Sequence, residues 1–423
     1  MAKPIKLAAV LAGVALLGAA CGGSSSGDNG GGGGGGKTLI ISTDLPMQGA
    51  SSDASNATIN AIKLYLDQVG NKAGDFTIQL KTYDDSTAAK GAWDDATCKA
   101  NASAHVANTD EVAVMGTFNS GCAKLEAPVL NAAPDGPMLM VSHANTNVGL
   151  TKTWDTGEPA KYFPTGKRSY ARVVTTDDVQ GPADAQFAAK ELNVKKVYVL
   201  NDTETYGQGV AKTFRDEAVK QGLTVVGEDS WKKSDANYTA LMGKIKASGA
   251  DLVFFGGIFD NNGGQLTKDK VAVLGPNSGA VKLMAPDGFT GYPDFLKLTE
   301  ADGAYLSFAG LSTDPLKAAG GVPAKFLADY KTKYGQDPRS PYALYGVQAL
   351  QVILAAIAKS DGTRKGVRDQ VFEGSGISIP QSQAVIGKAI TIDPATGDVN
   401  AKDITIELVK GGAETFFKAQ SVV

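Results

Sequence analysis

The residues of this 423-residue chain best placed to do chemistry sit in two short loops. Gly116-Thr117-Phe118-Asn119-Ser120 ends the apolar run that starts at Glu111, and Ser142-His143-Ala144-Asn145-Thr146 ends the run Pro137–Val141. Between them Leu125, Val129 and Leu130 take helical spacing, so residues 111–147 read as strand, loop, helix, strand, loop. That is one parallel crossover unit. Its two neighbouring strands finish in hydroxyl-rich loops at one carboxyl edge, where open α/β sheets bind ligands. Ser120 also opens a helix, whose unpaired N–H groups and dipole favour an anion. Ser120, Thr146 and the nearby backbone therefore suit a carboxylate. The same residues also serve as an ordinary N-cap and a turn residue, and the loops alone leave both readings open.

Catalytic motifs are missing. The two histidines, His105 and His143, fall in no zinc-ligand spacing. No G-x-S-x-G surrounds a serine and no phosphate-binding G-x-x-x-x-G-K-[ST] occurs. Tyr206-Gly207-Gln208-Gly209-Val210-Ala211-Lys212 imitates a dinucleotide fingerprint, but Lys212 replaces its third glycine. The pairs Asp84-Asp85, Asp94-Asp95 and Asp177-Asp178 could suggest acid–base carboxylates or calcium ligands, but adjacent acids at strand ends and helix starts are more often caps and solvated turns. We expect no enzyme, no catalytic residue, no metal and no cofactor.

The elements that must position the two loops begin well after the start of the chain. Lys3 and Lys6 precede the apolar stretch Leu7–Ala20, which is too short to span a bilayer. Leu17-Gly18-Ala19-Ala20-Cys21 resembles a bacterial lipobox, with Gly18 where leucine is commonest; the alternative is a secretory signal cleaved near Ala20. The resemblance makes residues 1–21 a lipoprotein signal peptide, with Cys21 as the lipid-attachment site and the protein held at the outer face of the cell membrane. Residues 22–37, rich in glycine and serine, suit a flexible tether. With Cys21 assigned to lipid, Cys98 and Cys122 are an even pair in an oxidising compartment. They lie on the helices before and after the Glu111 strand, and both helices can lie beside the same strand end, so a disulfide worth about 3 kcal/mol is feasible and is expected over the alternative of two buried thiols.

Roughly 385 residues remain for folded structure, more than one core usually holds, which points to two lobes. Hydrophobic content is 43% and formal charge −3, so no basic face suggests nucleic acid. No repeat of solenoid or propeller length is visible. Strand-like and helix-like runs alternate: strand 37–43, helix 54–69, strand 76–83, helix 86–107, then the crossover unit, a turn-rich passage at 149–167 and an extended run at 170–175. The rhythm then restarts with helices near 178–192, 209–222, 237–248 and 263–274 between strands near 196–200, 223–228, 251–256 and 281–285. Such alternation predicts parallel sheets covered by helices on both faces. Pro341–Lys359 is strongly apolar, but Gln348 and Gln351 interrupt it and it is short for a membrane, so it reads as a core helix. The end of the chain is β-rich.

In this order the pieces resemble the type I periplasmic substrate-binding proteins of ABC importers, in particular the leucine/isoleucine/valine-binding family. The resemblance covers residues 38–421. It rests on Tyr83-Asp84-Asp85, Gly116 to Ser120, Ser142 to Asn147, Gln180-Gly181-Pro182, Asn201-Asp202 with Tyr206-Gly207, Phe255-Gly256-Gly257, and Ala285-Pro286-Asp287-Gly288. It implies an α/β fold of two Rossmann-like lobes joined by a three-strand hinge. Lobe 1 would comprise 38–172 and 310–389, and lobe 2 would comprise 177–306 and 393–421, with crossovers at 173–176, 306–309 and 390–393.

The resemblance also implies a site. Ser120, the Ala144 backbone and Thr146 match the groups that hold a ligand α-carboxylate. Asp287 matches the acid that takes the α-ammonium, and Tyr206 an aromatic that closes over the ligand. Asp287 also sits in Pro-Asp-Gly, a strong turn signal. The family's usual acid is glutamate, one methylene longer. Near Ala54 the family often carries an aromatic that is absent here, and Ile258 and Phe259 fall where another pocket aromatic is usual. The expected ligand is a branched-chain or other aliphatic amino acid, passed to permease subunits. The alternatives are a small amide, an aromatic or aliphatic carboxylate, or an anchored ligand sensor.

Overall fold

In the computed structural model, which describes residues 37–420, the apolar runs become strands and the helical-period runs cover them. The expected signal segment and Cys21 lie outside the described residues. β1 (Thr38–Leu45) leads through the helix Ser52–Gln68 to the short β2 (Lys72–Ala73) and to β3 (Phe76–Asp84). A small hairpin, β4 (Ser86–Thr87) and β5 (Ala92–Trp93), precedes the helix Asp95–Ala107. Then come β6 (Glu111–Gly116), the helix Ser120–Asn131, β7 (Leu139–Ser142) and β8 (Tyr170–Arg172). They form a six-stranded sheet ordered β2-β3-β1-β6-β7-β8, parallel throughout except at β2. Ala113 of β6 stands opposite Leu139 of β7, so both hydroxyl-rich loops leave the same edge.

The second lobe repeats the scheme with β9 (Lys196–Asn201), β10 (Thr224–Ser230), β11 (Leu252–Gly256), β12 (Lys282–Ala285) and β13 (Tyr305–Phe308). The helix Tyr342–Ala358 then packs into the core of the first lobe, followed by the helix Arg364–Phe372 and the short pair β14 (Ser378–Ile379) and β15 (Ile390–Thr391). β16 (Ile404–Lys410) and β17 (Ala413–Gln420) close the second sheet antiparallel, in the order β10-β9-β11-β12-β13-β16-β17. The fold is α/β with two parallel-rich sheets in two lobes. The chain passes between them after β8, after β13 and before β16, and these passages are tied together. Thr175 N–H donates to Ala309 O at 3.0 Å, and the Thr175 and Thr405 hydroxyls donate to Asp403 O at 2.9 Å and Gly310 O at 2.8 Å.

Tyr342–Ala358 buries 15 of its 17 residues, which is why it is apolar all round. Leu350, Ile353 and Ile357 each contribute about 1.5–3 kcal/mol by leaving water. Gln351 is no exception to the core reading: its amide donates to Tyr65 OH and Gln383 O and accepts from Val385 N–H. No helix among the described residues is long and apolar enough to cross a membrane.

Three segments depart from the sequence reading. The helix expected from Ser86 begins only at Asp95, because Gly91, at φ +56°, turns the chain back into a hairpin. Asp94 then caps the helix, accepting from Ala96 and Thr97 N–H. The helix expected from Gly209 begins at Thr205, which brings Tyr206 into its first turn. Gly207 there has no room for a side chain: a Cβ would meet Asp202 Oδ1 at 2.1 Å and Gly256 O at 2.5 Å. The glycines of the dinucleotide-like stretch thus serve helix packing. Between 310 and 340 the chain folds into two helices, Thr313–Ala318 and Gly321–Tyr334, which have no counterpart in the sequence reading.

Candidate functional site

The loop after β7 is built by short polar bonds. Ser142 Oγ donates to Thr117 O at 3.0 Å and accepts from the Ala144 and Asn145 N–H groups. Asn145 Nδ2 donates to Thr117 O and Phe118 O, both at 2.9 Å, so the two loops at the sheet edge are stitched into one surface. Arg172, fully buried on β8, holds the far side. Its guanidinium donates to Asn145 O, Asn147 O and Thr151 Oγ1 and pairs with Asp398 at 2.8 Å. Ser120 is the first residue of its helix, ahead of the first intrahelical bond, from Ala123 N–H to Asn119 O.

These elements form one wall of a small cavity between the lobes. The first lobe contributes Phe118, Asn119, Ser120, Ala144 and Tyr342, and the second contributes Tyr206, Ile258, Asp287 and Gly288. Gly288 keeps the second wall thin, since a Cβ there would stand 2.2 Å from Gly257 O. The lining holds a single acid and no imidazole or thiol, so it offers no metal-ligand set.

Asp287 sits just past β12 at 3% exposure. It accepts from Tyr206 OH at 2.6 Å and from Tyr342 OH, one tyrosine from each lobe. Burial raises its pKa, against the lowering effect of Tyr206, Tyr342 and Gln180. Two more acids lie near. Burial pushes Asp177 up to about 8 and Asp184 well above the carboxylate range, and both feel the charge of Asp287. Arg172 is close enough to favour the Asp177 carboxylate, but its donors are spent on the loop and Asp398. The second-lobe side of the cleft is therefore acid-rich and short of cations. His143, behind Phe118 and Tyr342 at ring distances of 6.1 and 5.8 Å, is fully buried and its pKa falls to about 3, so it adds no charge at neutral pH.

Of the residues expected at the site, Ser120, Ala144, Tyr206 and Asp287 line the cavity. The Ala144 N–H, however, is engaged with Ser142 Oγ at 3.1 Å. Thr146 is buried outside the lining. Its hydroxyl approaches Asp177 without completing a hydrogen bond, and its carbonyl accepts from Asp177 N–H at 2.9 Å. Phe259 is displaced from the expected position: it packs against Phe289, Tyr292 and Phe295, while its neighbour Ile258 faces the cavity. Phe118 and Tyr342 supply aromatic lining that the sequence reading did not identify.

The lobes are latched around this cavity. Trp93 Nε1 donates to Glu204 at 2.9 Å, Asn147 Nδ2 to Thr205 O at 3.0 Å, and Ser51 N–H to Asp260 at 3.1 Å. Two α/β lobes closed on a small, largely apolar cavity at the carboxyl edges of their sheets define a substrate-binding protein. Residues 44–401 match the periplasmic binding protein family model, and the chain belongs to that family of extracytoplasmic binding proteins. It is 25% identical over 297 residues to an amino acid binding protein of Pseudomonas aeruginosa, covering 66% of each chain. It is 26% identical over 297 residues to a Leu/Ile/Val-binding protein of Rhizobium johnstonii, covering 69% of this chain and 71% of that one. The chain thus spans just under two thirds of the Pseudomonas relative. Among solved structures, a leucine-binding protein of Thermotoga maritima superposes with a TM-score of 0.72 at 20% identity, over 90% of this chain and 99% of that one. A solute-binding protein from R. palustris in complex with benzoate also reaches 0.72, at 16% identity over 91% and 98% of the chains. At these identities the structures share the fold.

Proposed function

We propose that this protein is the lipid-anchored substrate-binding component of an ABC importer, and that it captures a small aliphatic or branched-chain amino acid between its lobes. The observation that carries the reading is the polarity of the cavity. Helix-start N–H groups and Ser120 suit a carboxylate on one wall, and Asp287, in an acid-rich surrounding without a free cation, suits an ammonium on the other. Ile258, Phe118 and the tyrosine rings suit an apolar side chain. The names of the Pseudomonas and Rhizobium relatives agree with this ligand class.

Capture follows from the latches. Ligand binds the first lobe, the segments that cross after β8, after β13 and just before β16 flex, and the second lobe closes over it. A micromolar ligand supplies about 8 kcal/mol, ample to bias a hinge equilibrium of a few kcal/mol. The closed form then presents its surface to the permease, while Cys21 and the 22–37 tether keep it at the membrane. Membrane release of Cys21→Ala tests the anchor; unchanged attachment refutes it.

The aromatic lining and the benzoate complex of the R. palustris neighbour favour one second reading, an aromatic carboxylate. Asp287→Asn separates the two. An ammonium left unpaired in a buried site costs about 3–5 kcal/mol. Titration calorimetry should show leucine weakened roughly 100-fold or more, and its deaminated analogue hardly changed. Equal weakening of both, or of neither, removes the amino-acid reading.

A further inference from the structure

Away from the cleft lining, five ionisable side chains converge inside the first lobe: Asp44, Asp85, His105, Glu111 and Glu126, all at 0% exposure. His105 turns Nδ1 to Glu111 Oε1 and the Ser42 hydroxyl, and Nε2 to Asp44 Oδ2 at 3.2 Å. Asn101 donates to Asp44 at 3.0 Å and Asn108 to Glu111 at 3.2 Å. Glu126 has no donor. Its Oε2 is unpartnered, and its Oε1 lies 3.4 Å from the sulfur of Cys122, which in the Cys98–Cys122 bridge has no proton to give. Both oxygens of Asp85, within electrostatic reach of Asp44 and Glu126, are unpartnered as well. Arg364, packed against the cluster, directs Nε and Nη2 to the backbone carbonyls of Glu111, His105, Val106 and Asn108, while its Nη1 has no hydrogen-bond partner, reaches no carboxylate of the cluster and lies 4.0 Å from Asp135.

Buried carboxylates without donors require a proton or a cation. With Nδ1–H directed at Glu111, Nε2 of His105 faces the Asp44 carboxylate, a position that calls for a positive charge, either a second ring proton or a metal ion. A carboxylate on the outer ring nitrogen is also how metal-binding histidines are oriented. One ligand atom from each of Asp44, His105 and Glu126 lies within 4.8 Å of the others. We propose that Asp44, His105 and Glu126, with Asp85 beside them, bind one divalent cation of the zinc class. The imidazole selects this class, since calcium and magnesium take oxygen ligands. The ligands come from positions far apart in sequence, which is why no motif spacing announces them.

Because the cluster is sealed, the metal must enter as the chain folds. Untagged protein with its disulfide intact is therefore unfolded in denaturant with chelator, refolded with zinc chloride or without metal, desalted and assayed for bound zinc. Wild type should retain one equivalent and melt higher than its metal-free form. Glu126→Gln is the informative variant, because it replaces an unpartnered acid by a neutral group of the same shape and leaves the cleft untouched. It should bind zinc roughly 100-fold more weakly, and its melting temperature should not respond to zinc. Asp85→Asn serves as a second variant and should weaken retention. Failure of wild type to retain zinc, or equal retention by Glu126→Gln, overturns the proposal and leaves protons as the neutralising charge. Leucine titration of the same samples keeps this result separate from the fate of the cleft.

Discussion

Tyr342 of the first lobe donates its hydroxyl to Asp287 of the second, across the cavity that both residues line. The same carboxylate takes Tyr206 OH from its own lobe at 2.6 Å, so Asp287 is held by a donor on each side of the cleft. The bond to Tyr342 exists only when the lobes are closed. It therefore couples closure to the state of the one acid in the lining.

Tyr342→Phe should raise the dissociation constant of the ligand by about 10-fold or more, since a hydrogen bond to a charged group contributes about 1.5–3 kcal/mol. The fold should hold, because the ring stays packed on Phe118 and Phe308 at 5.3 and 4.9 Å. Calorimetry gives the affinity, and small-angle scattering with saturating ligand gives the closed fraction. An unchanged affinity would mean that closure does not depend on this bond.

Arg172 positions the loop that carries Ala144, through three donors on residues 145–151 and its pair with Asp398. Lysine cannot reproduce that fork. Arg172→Lys keeps the charge but loses the forked hydrogen bonds, and should destabilise the protein by about 1.5–3 kcal/mol and weaken ligand binding as the loop loosens. Denaturant melts read the first effect and titration the second. A variant as stable as wild type would show that the loop holds itself.

Much of this architecture was legible in the chain because its signals are local. Alternating apolar runs and helical spacing predicted both sheets, and the strand-end loops at 116–120 and 142–146 predicted the edge that carries Ser120. What escaped depends on tertiary position. Tyr342 opens a helix whose remaining residues are almost all core, so its pattern gives no hint that one hydroxyl faces a cavity. Ile258 and Phe259 are adjacent, and which of them faces inward depends on the turn after β11, where Phe259 N–H donates to Gly288 O at 2.9 Å. Trp93 was hidden by reading 86–107 as one helix, when Gly91 folds a hairpin that delivers the indole to Glu204. The buried acids fared worst, since Asp85 and Asp177 look like the caps and turns that paired aspartates usually are.

Cys98 and Cys122 form the bridge that their places on flanking helices suggested, with Cα atoms 5.7 Å apart across a separation of 24 residues. Closing a loop of that length contributes roughly 3 kcal/mol. Reduction, or the double change Cys98→Ser and Cys122→Ser, should lower the melting temperature by several degrees. The helix Ser120–Asn131 begins two residues before Cys122, so ligand affinity should also fall. Free thiols in the unreduced, denatured protein would show that the bridge does not form in solution.

His143 gives the sharpest pH signature. Burial lowers its pKa from 6.5 to about 3, and neither ring nitrogen has a hydrogen-bond partner. Between those two values the unfolded chain takes up a proton that the folded protein refuses. Stability from this group is therefore full above about pH 6.5 and drains away as pH falls toward 3. The slope in that window approaches about 1.4 kcal/mol per pH unit for one proton. His143→Phe deletes the effect and keeps an aromatic ring beside Phe118 and Tyr342. Wild type and variant should have comparable stability near pH 7.5, and the variant should become relatively more stable at each step down to pH 5. Urea denaturation at four pH values measures the difference directly, because carboxylate contributions common to both proteins cancel. Parallel pH profiles would show that His143 takes up its proton in the folded protein, and the cavity wall would then carry a positive charge in acid.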